Sequence, residues 1–529
     1  MAGASWPPTT NVSALNGAVC LGSRAVTTDV LLGQAYFLRF DPKLWAAMQP
    51  YPPLGALYAA SYLRARGYPV ALFDAMLAES EQAWAAALDR HRPRFAVLFE
   101  DNFNYLSKMC LLRMREAAFT MLALARARGC TVIAAGADAT DHADLYLARG
   151  ADYVLLGEGE ATLAELLDAL TGRAPKPLEH ILGLAWAGPG RPTADESNAS
   201  AVGRRRSVLG TPRRPDIRDL DALPFPAWDL IDVERYRRLW RERHGYFSIN
   251  LVTTRGCPYH CNWCAKPIWG QRYNARSPGN VVAELVWLKA NIAPDHIWFM
   301  DDIFGLKPGW IEQFARLARE AGVVIPFKCL QRADRVTETT AAALAAAGCR
   351  TVWMGAESGS QTVLDAMDKG QTVDEIYTAA RRLRAHGIEV GFFLQFGYPG
   401  ETWADIARTR RMVRECLPDD IGVSVSYPLP GTRFYERVRQ ELGAKQNWRD
   451  SDDLAMLYHG PFPAPFYRAL HRLIHAEHRL MRWLNRREWR RLPRAVYEGW
   501  RWLGARLQLE AYRRRAASSV SRTATPASK

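Results

Sequence analysis

Short apolar runs alternate with amphipathic stretches twice along this chain, once on each side of a proline-rich connector. That alternation constrains the fold more than any other feature. Residues 70–73, 95–99, 131–135 and 153–156 are apolar apart from Thr131, without the alternation of a half-exposed strand. Runs of this length read as strands buried on both faces of a sheet. A further strand opens the stretch 30–40. Helical spacing is predicted at 54–66, closed by Gly67, and at 79–90, 105–128, 141–149 and 160–170. Strand and helix in strict turn predict a parallel, doubly wound, Rossmann-like α/β domain. Such sheets bind ligands at the carboxyl ends of their strands.

The second series predicts strands at 247–254, 296–300, 326–330, 351–355, 390–396 and 422–427. Helices are predicted at 277–290, 310–321, 338–347 and 373–386, and from 401 to about 416. Six strands with five or six helices fit a partial (β/α)6 barrel, whose chemistry belongs at the strand carboxyl ends. At 529 residues the chain is long enough for two to four domains, and 48% hydrophobic residues suffice for large cores. The expected order is a weakly ordered lead (1–27), the doubly wound domain (28–170), a linker (171–245), the barrel (246–440), a helical C-terminal region (441–515) and a disordered tail (516–529). The linker carries Pro175, Pro177, Pro189, Pro192, Pro212, Pro215, Pro224 and Pro226, a density that predicts irregular structure. The lead lacks the charged and apolar regions of a signal peptide, and no run near 18 apolar residues predicts a membrane span.

Nine cysteines, an odd number, include three at CxxxCxxC spacing: Cys257, Cys261 and Cys264. This argues against a disulfide framework and for a reducing compartment, the cytoplasm. Three thiolates on one loop suit three irons of a four-iron four-sulfur (4Fe-4S) cluster, leaving the fourth iron open. The alternative is zinc. A structural zinc site wants four closed ligands, usually from two separated pairs. His260, between two of the cysteines, has poor reach as a fourth.

With Trp263 just before the last cysteine, this motif resembles that of the radical S-adenosylmethionine (SAM) enzymes. The resemblance implies that the open iron chelates SAM, and that one electron cleaves SAM to a 5′-deoxyadenosyl radical. It also implies roles for residues at the strand ends. Asp301 and Asp302 match the position facing the SAM amino group, a charge-assisted pairing. Glu357, followed by Ser358, matches the carboxylate that holds the ribose hydroxyls. Gln395 and the turn 397–401 match the adenine loop, and Arg332 faces the SAM carboxylate. Helix capping is the structural alternative for such polar residues. Cys329, Cys349 and Cys416 are expected as buried structural thiols.

The doubly wound domain resembles a cobalamin-binding domain. The resemblance lies in Pro52-Pro53-Leu54-Gly55, in the loop Gly136-Ala137-Asp138-Ala139-Thr140, and in Asp152-Tyr153-Val154 running into Gly157-Glu158-Gly159-Glu160. It implies that Gly136, Asp138, Thr140, Gly157 and Glu158 border cobalamin. The DxHxxG motif of many such domains, whose histidine replaces the lower axial base, is absent. His91 is followed by no glycine, and His142 fits a surface helix. The resemblance therefore implies cobalamin bound without a histidine from this chain, or a domain that has lost it.

The net charge is +14, with much of the excess in the C-terminal region, where tryptophans are interleaved with arginines. Basic-aromatic helices suit an anionic membrane surface, and equally a wetted arginine face; no nucleic-acid module is recognisable, so no nucleic acid is expected. Both resemblances together imply a cobalamin-dependent radical SAM enzyme. The expected reaction is C-methylation of a small, lipophilic substrate, with flavodoxin or ferredoxin as electron donor. The alternatives are a radical oxidation or cyclisation of a tetrapyrrole- or lipid-like molecule, as in the anaerobic magnesium-protoporphyrin ester cyclase, and a non-catalytic cobalamin or iron–sulfur sensor.

Overall fold

The strand runs of the first series form one sheet and those of the second another. A computed structural model describes residues 28–103, 111–188, 208–264, 268–442, 448–449, 454, 456–486 and 492–523. The first sheet contains β1 (Val30–Gly33), β2 (Val70–Phe73), β3 (Phe95–Phe99), β4 (Thr131–Ala135), β5 (Tyr153–Leu155), β6 (Leu184–Ala187) and β7 (Val208–Gly210). Its order is β2-β1-β3-β4-β5-β6-β7. Neighbours among β1 to β5 are parallel, and β6 and β7 add on antiparallel.

The two-residue period of the strands feeds two cores. Leu31, Ala96, Leu98, Val132 and Ala134 pack toward the helices Gln82–His91 and Leu112–Arg126. Val30, Leu32, Val97, Phe99 and Ile133 pack toward the helices Leu54–Arg64 and Glu160–Thr171. A sheet covered on both faces explains why its strands are apolar almost throughout.

The second sheet is wholly parallel. It runs β8 (Ser248–Leu251), β11 (His296–Phe299), β12 (Phe327–Gln331), β13 (Cys349–Glu357), β14 (Glu389–Phe396) and β15 (Asp420–Val425) in that spatial order. The helices Pro278–Asn291, Trp310–Glu320, Glu338–Ala346, Val373–Ala385 and Trp403–Cys416 separate its strands. This is the expected half-barrel. A two-stranded antiparallel ladder, β9 (Thr254–Arg255) with β10 (Asn274–Ala275), brackets the cysteine loop. The helices Ala464–Arg486 and Leu492–Thr523 follow. No helix among the described residues is long and apolar enough to cross a membrane.

The linker is more regular than its prolines suggest. It supplies β6 and β7, which extend the first sheet, and a helix, Val233–His244, capped by Asp232 and ended at Gly245. Proline density marks the turns between these elements and hides the short elements themselves. Tyr236 and Trp240 of that helix enter a core shared by both domains, with Tyr51, Leu54, Tyr58, Phe247, Ile249 and Trp269. The helix expected at 105–128 is described from Leu112, and residues 104–110 lie outside the described set. The lead at 1–27 also lies outside it. The helix Leu492–Thr523 runs into the expected disordered tail, and residues 524–529 lie outside the described set.

Candidate active site at two facing sets of strand ends

Beyond β8 the chain must turn sharply to present its cysteines. Asp301, at the end of β11, organises that turn. Its buried carboxylate accepts hydrogen bonds from the amide and hydroxyl of Thr253 and from those of Thr254, at 2.7 to 2.9 Å. Burial still raises its pKa to about 6, against the pull of those donors. Gly256 then adopts φ +82°, and a Cβ there would stand 2.3 Å from the carbonyl oxygen of Arg272. Only glycine fits between Arg255 and Cys257.

Cys257, Cys261 and Cys264 follow on one partly exposed loop, outside any disulfide. Asn262 pins its middle. Its amide donates to the Met367 carbonyl and its side chain to the Ala366 carbonyl, while the Tyr398 hydroxyl donates to its side-chain oxygen. Arg332 places Nη1 3.9 Å from the Cys261 sulfur and stacks 3.7 Å over the Tyr259 ring. The guanidinium thus sets a fixed positive charge beside that sulfur. His260 is exposed. Among the described residues no three His, Cys, Asp or Glu side chains converge on one metal ion. In a 4Fe-4S cluster each cysteine binds a different iron, so the sulfurs stand around a cube and not around a point. The donor set thus suits a cluster better than a zinc ion.

Around this loop the strand ends carry the other predicted groups. Glu357, at the end of β13, is buried with φ +56°. A non-glycine residue held there is strained, and such strain gathers at ligand sites. Its carboxylate lies 2.8 Å from Lys369 Nζ. Burial opposes the Lys369 charge, yet Glu357 and Cys261 beside it hold its pKa above that of a free lysine. Ser358 exchanges a hydrogen bond with the Thr409 hydroxyl and accepts one from the Ser360 amide. Among the described residues, Gln395 Oε1 and Trp263 Nε1 are buried without a hydrogen-bond partner. Unsatisfied buried polar atoms are costly and mark places where a ligand would complete the bonding. Arg332 is held by Asp334 and by the Lys369 and Gly370 carbonyls, which fixes its plane beside Cys261. Asp301 is already saturated by the two threonines, and Asp302 beside it is exposed.

At the first sheet the predicted border residues are largely engaged with one another. Asp138 is held by Arg115 and by the Tyr146 hydroxyl. Thr140 accepts from the Gly157 amide at 3.2 Å, tying the two glycine loops together. Gly136, at φ +131°, lies so close to Glu100 that a Cβ would stand 2.6 Å from the Glu100 Cβ. Among the described residues the unsatisfied atoms are elsewhere at the same edge: Tyr36 hydroxyl, Glu100 Oε2 and Asn102 Oδ1, all buried. These three were not singled out in sequence. They lie just past β1 and β3, where doubly wound sheets hold ligands, and fit the amide-rich rim of a corrin. Asp101 accepts from the Leu54 and Gly55 amides, serving as the cap that Pro53 cannot provide.

Glu158 reaches away from its own sheet. Its Oε1 accepts from Arg255 Nη1 at 2.9 Å and from the Trp269 indole at 2.8 Å. Arg255 Nη2 donates to Glu160 at 2.7 Å. All three charged side chains are at most 7% exposed. Burial opposes the Arg255 charge, but the two carboxylates hold its pKa above the ordinary value. One arginine, two residues before Cys257, thereby joins the glycine turn of the first domain to the cysteine loop of the second. A basic residue beside a cysteine motif carries no signal in sequence, and neither Arg255 nor Lys369 was anticipated.

Comparison with known proteins identifies both halves. A model of the radical SAM superfamily matches residues 251–413, and a model of the B12 binding domain matches residues 46–167. The chain is 30% identical over 302 residues to the uncharacterized methyltransferase PH0819 of Pyrococcus horikoshii, covering 56% of this chain and 60% of that protein. It is 25% identical over 406 residues to the anaerobic magnesium-protoporphyrin IX monomethyl ester cyclase of Rubrivivax gelatinosus, covering 75% of this chain and 67% of that one. The chain thus spans about two thirds or less of these relatives. The fold is shared with the radical SAM methyltransferase TsrM of Kitasatospora setae, solved with cobalamin and a [4Fe-4S] cluster, at a TM-score of 0.60 and 20% identity over 79% of each chain. The chain accordingly belongs to the radical SAM enzymes that carry a B12-binding domain, with a 4Fe-4S cluster, SAM and cobalamin as its cofactors.

Proposed function

We propose that this enzyme transfers a methyl group to an unactivated carbon of a small molecule. The observation that carries the reading is the Arg255 clamp with Glu158 and Glu160, which sets the strand ends of both domains against each other. When bound, the cluster and SAM would supply hydrogen abstraction from the substrate, and cobalamin a methyl group. The relatives named as methyltransferases support this reading.

In this reading Cys257, Cys261 and Cys264 hold the cluster. Arg332 and Lys369 offset its negative charge. Glu357 binds the ribose hydroxyls, and Gln395 and Trp263 take up polar groups of SAM. Asp301 shapes the cysteine loop, and Asp302 beside it faces the SAM amino group. Gly136 and Gly157 let the corrin approach the first sheet. Thr140, Asp138 and Glu158 hold the surrounding loops, and Tyr36, Glu100 and Asn102 supply contacts. The proposed domain limits are 28–170, 246–440 and 441–515, with residues 171–245 as the linker. A small electron carrier such as flavodoxin or ferredoxin would reduce the cluster, in the cytoplasm. With methyl-labelled SAM, label enters the product alongside 5′-deoxyadenosine. Deoxyadenosine without label in product would overturn the reading in favour of radical oxidation or cyclisation, the reaction class of the Rubrivivax relative.

The C-terminal helices bring a second contact into this reading. Val496, Tyr497, Trp500, Leu503 and Leu507 are 40 to 70% exposed along one helix, at helical spacing. Arginine-rich surroundings and an exposed aromatic stripe match the headgroup region of an anionic bilayer.

A further inference from the structure

The half-barrel has a second face with chemistry of its own. Along β11 to β14 alternate side chains enter the core under the helices: Ile297, Cys329, Val352 and Phe392 among them. The intervening positions point to the concave side. These include Trp298 on β11 and Lys328 on β12 at one level, Trp353 on β13 two residues higher, and Phe393 on β14 two residues higher again. The register places Trp298 beside Lys328, Trp353 beside Gly391, and Phe393 beside Gly422.

The two glycines explain how the rings lie. A Cβ at Gly391 would stand 2.4 Å from the Trp353 ring, and one at Gly422 would stand 3.1 Å from the Phe393 ring. Each ring is therefore laid flat across the neighbouring strand. Together they stack, with centroids 4.7 Å apart and planes at 29°. Phe393 is still 40% exposed, so this platform keeps an uncovered aromatic surface.

One strand over from Trp353, and two residues lower in register, stands Lys328. Lys328 Nζ lies 4.4 Å from the Trp298 ring and 5.5 Å from the Tyr51 ring of the first domain. Among the described residues it has no hydrogen bond and no carboxylate within ion-pair distance. Glu389, at the lower rim, accepts instead from the Thr351 hydroxyl. Burial lowers the Lys328 pKa to about 8. Two ring faces stabilise a cation but do not replace a charge partner. The floor climbs along the sheet: Lys328 is level with Thr351, far below Glu357, whereas Phe393 directly precedes Leu394, the register partner of Glu357.

We propose that this concave floor binds a flat, conjugated molecule bearing an anionic group, with the ring system stacked on Trp353 and Phe393 and the anion paired with Lys328. An aliphatic anion would leave the platform bare, and a neutral ring would leave Lys328 unpaired. The inference rests on the proposed function only in taking this molecule as the substrate class.

The test uses the full chain, reconstituted with iron and sulfide and saturated with SAM. Pyrene-carboxylate is titrated by fluorescence, with pyrenemethanol as the uncharged counterpart. The carboxylate binds at least about tenfold more tightly than the alcohol, the loss of one charge-assisted contact. Lys328→Met removes that preference, and Phe393→Leu, at an exposed ring, weakens both probes. Absence of binding to the parent chain, or binding unchanged in both variants, overturns the proposal. Cleavage of SAM to 5′-deoxyadenosine is followed in the same samples. Its absence alongside the expected probe behaviour defeats the enzymatic reading and leaves the site standing.

Discussion

Arg255 and Glu158 meet at 2.9 Å across the boundary between the two domains, and each is almost wholly buried. The arginine precedes the cysteine loop and the glutamate sits in the glycine turn of the other sheet, so the two cofactor-binding edges share one ion pair. Glu160 completes it, with its second oxygen unpartnered. Removing one member strands a buried charge. Arg255→Met is expected to destabilise the chain by about 3 to 5 kcal/mol. Urea unfolding checks this, and the triple replacement of all three residues by apolar ones recovers much of the loss.

The cysteines lie on a partly exposed loop and make little core. Cys261→Ser therefore keeps its secondary structure by circular dichroism. It loses most of its iron, and SAM cleavage falls to the uncatalysed background. Arg332→Met, beside the same sulfur, retains iron but shifts the cluster potential, read by redox titration.

Glu357 is strained, at φ +56°, and paired with Lys369. Glu357→Gln is expected to weaken SAM binding about tenfold, near 1.4 kcal/mol. Equilibrium dialysis with labelled SAM measures this, and cluster content stays unchanged.

Glu100 gives a pH signature. Burial, then the neighbouring Asp138 and Asp101, raise its pKa from 4.5 to about 8 despite the hydrogen bond from the Ala35 amide. The folded chain holds this proton more tightly than the unfolded chain. Its contribution is full below about 4.5 and is lost as pH rises through about 8. Glu401 titrates in the same window, so the parent loses stability there from both groups. Glu100→Gln removes its own contribution and makes the decline shallower, by ~1.4 kcal/mol per pH unit inside that window. Denaturant midpoints across this window give the comparison.

The exposed stripe around Trp500 predicts sedimentation with anionic vesicles. Binding weakens with salt and falls in Trp500→Ser with Leu507→Ser, while unfolding by urea is unaltered. Failure of the parent chain to sediment at low salt removes the membrane contact.

Much of the architecture was legible because buried parallel strands leave uninterrupted apolar runs. Residues 70–73, 95–99 and 131–135 were bounded to the residue. The linker was misjudged because β6 and β7 are three or four residues long and sit among prolines. The cysteine loop and the place of Glu357 at the end of β13 were legible because motif and strand end coincide. Arg255 and Lys369 were not. Their roles arise from pairing across 97 and 12 residues, and such spacing follows from the fold alone. Glu158 was singled out as a cofactor contact, whereas its carboxylate is spent on Arg255, Trp269 and the Ile217 amide.

Metal analysis tests the central claim most directly. The chain is purified without oxygen, reconstituted with iron, sulfide and cobalamin, and freed of excess reagent. The account predicts about four irons and about one cobalt per chain, with both charge-transfer and corrin absorption bands. Four irons without cobalt would contradict it, leaving a radical SAM core beside a domain that no longer holds its cofactor.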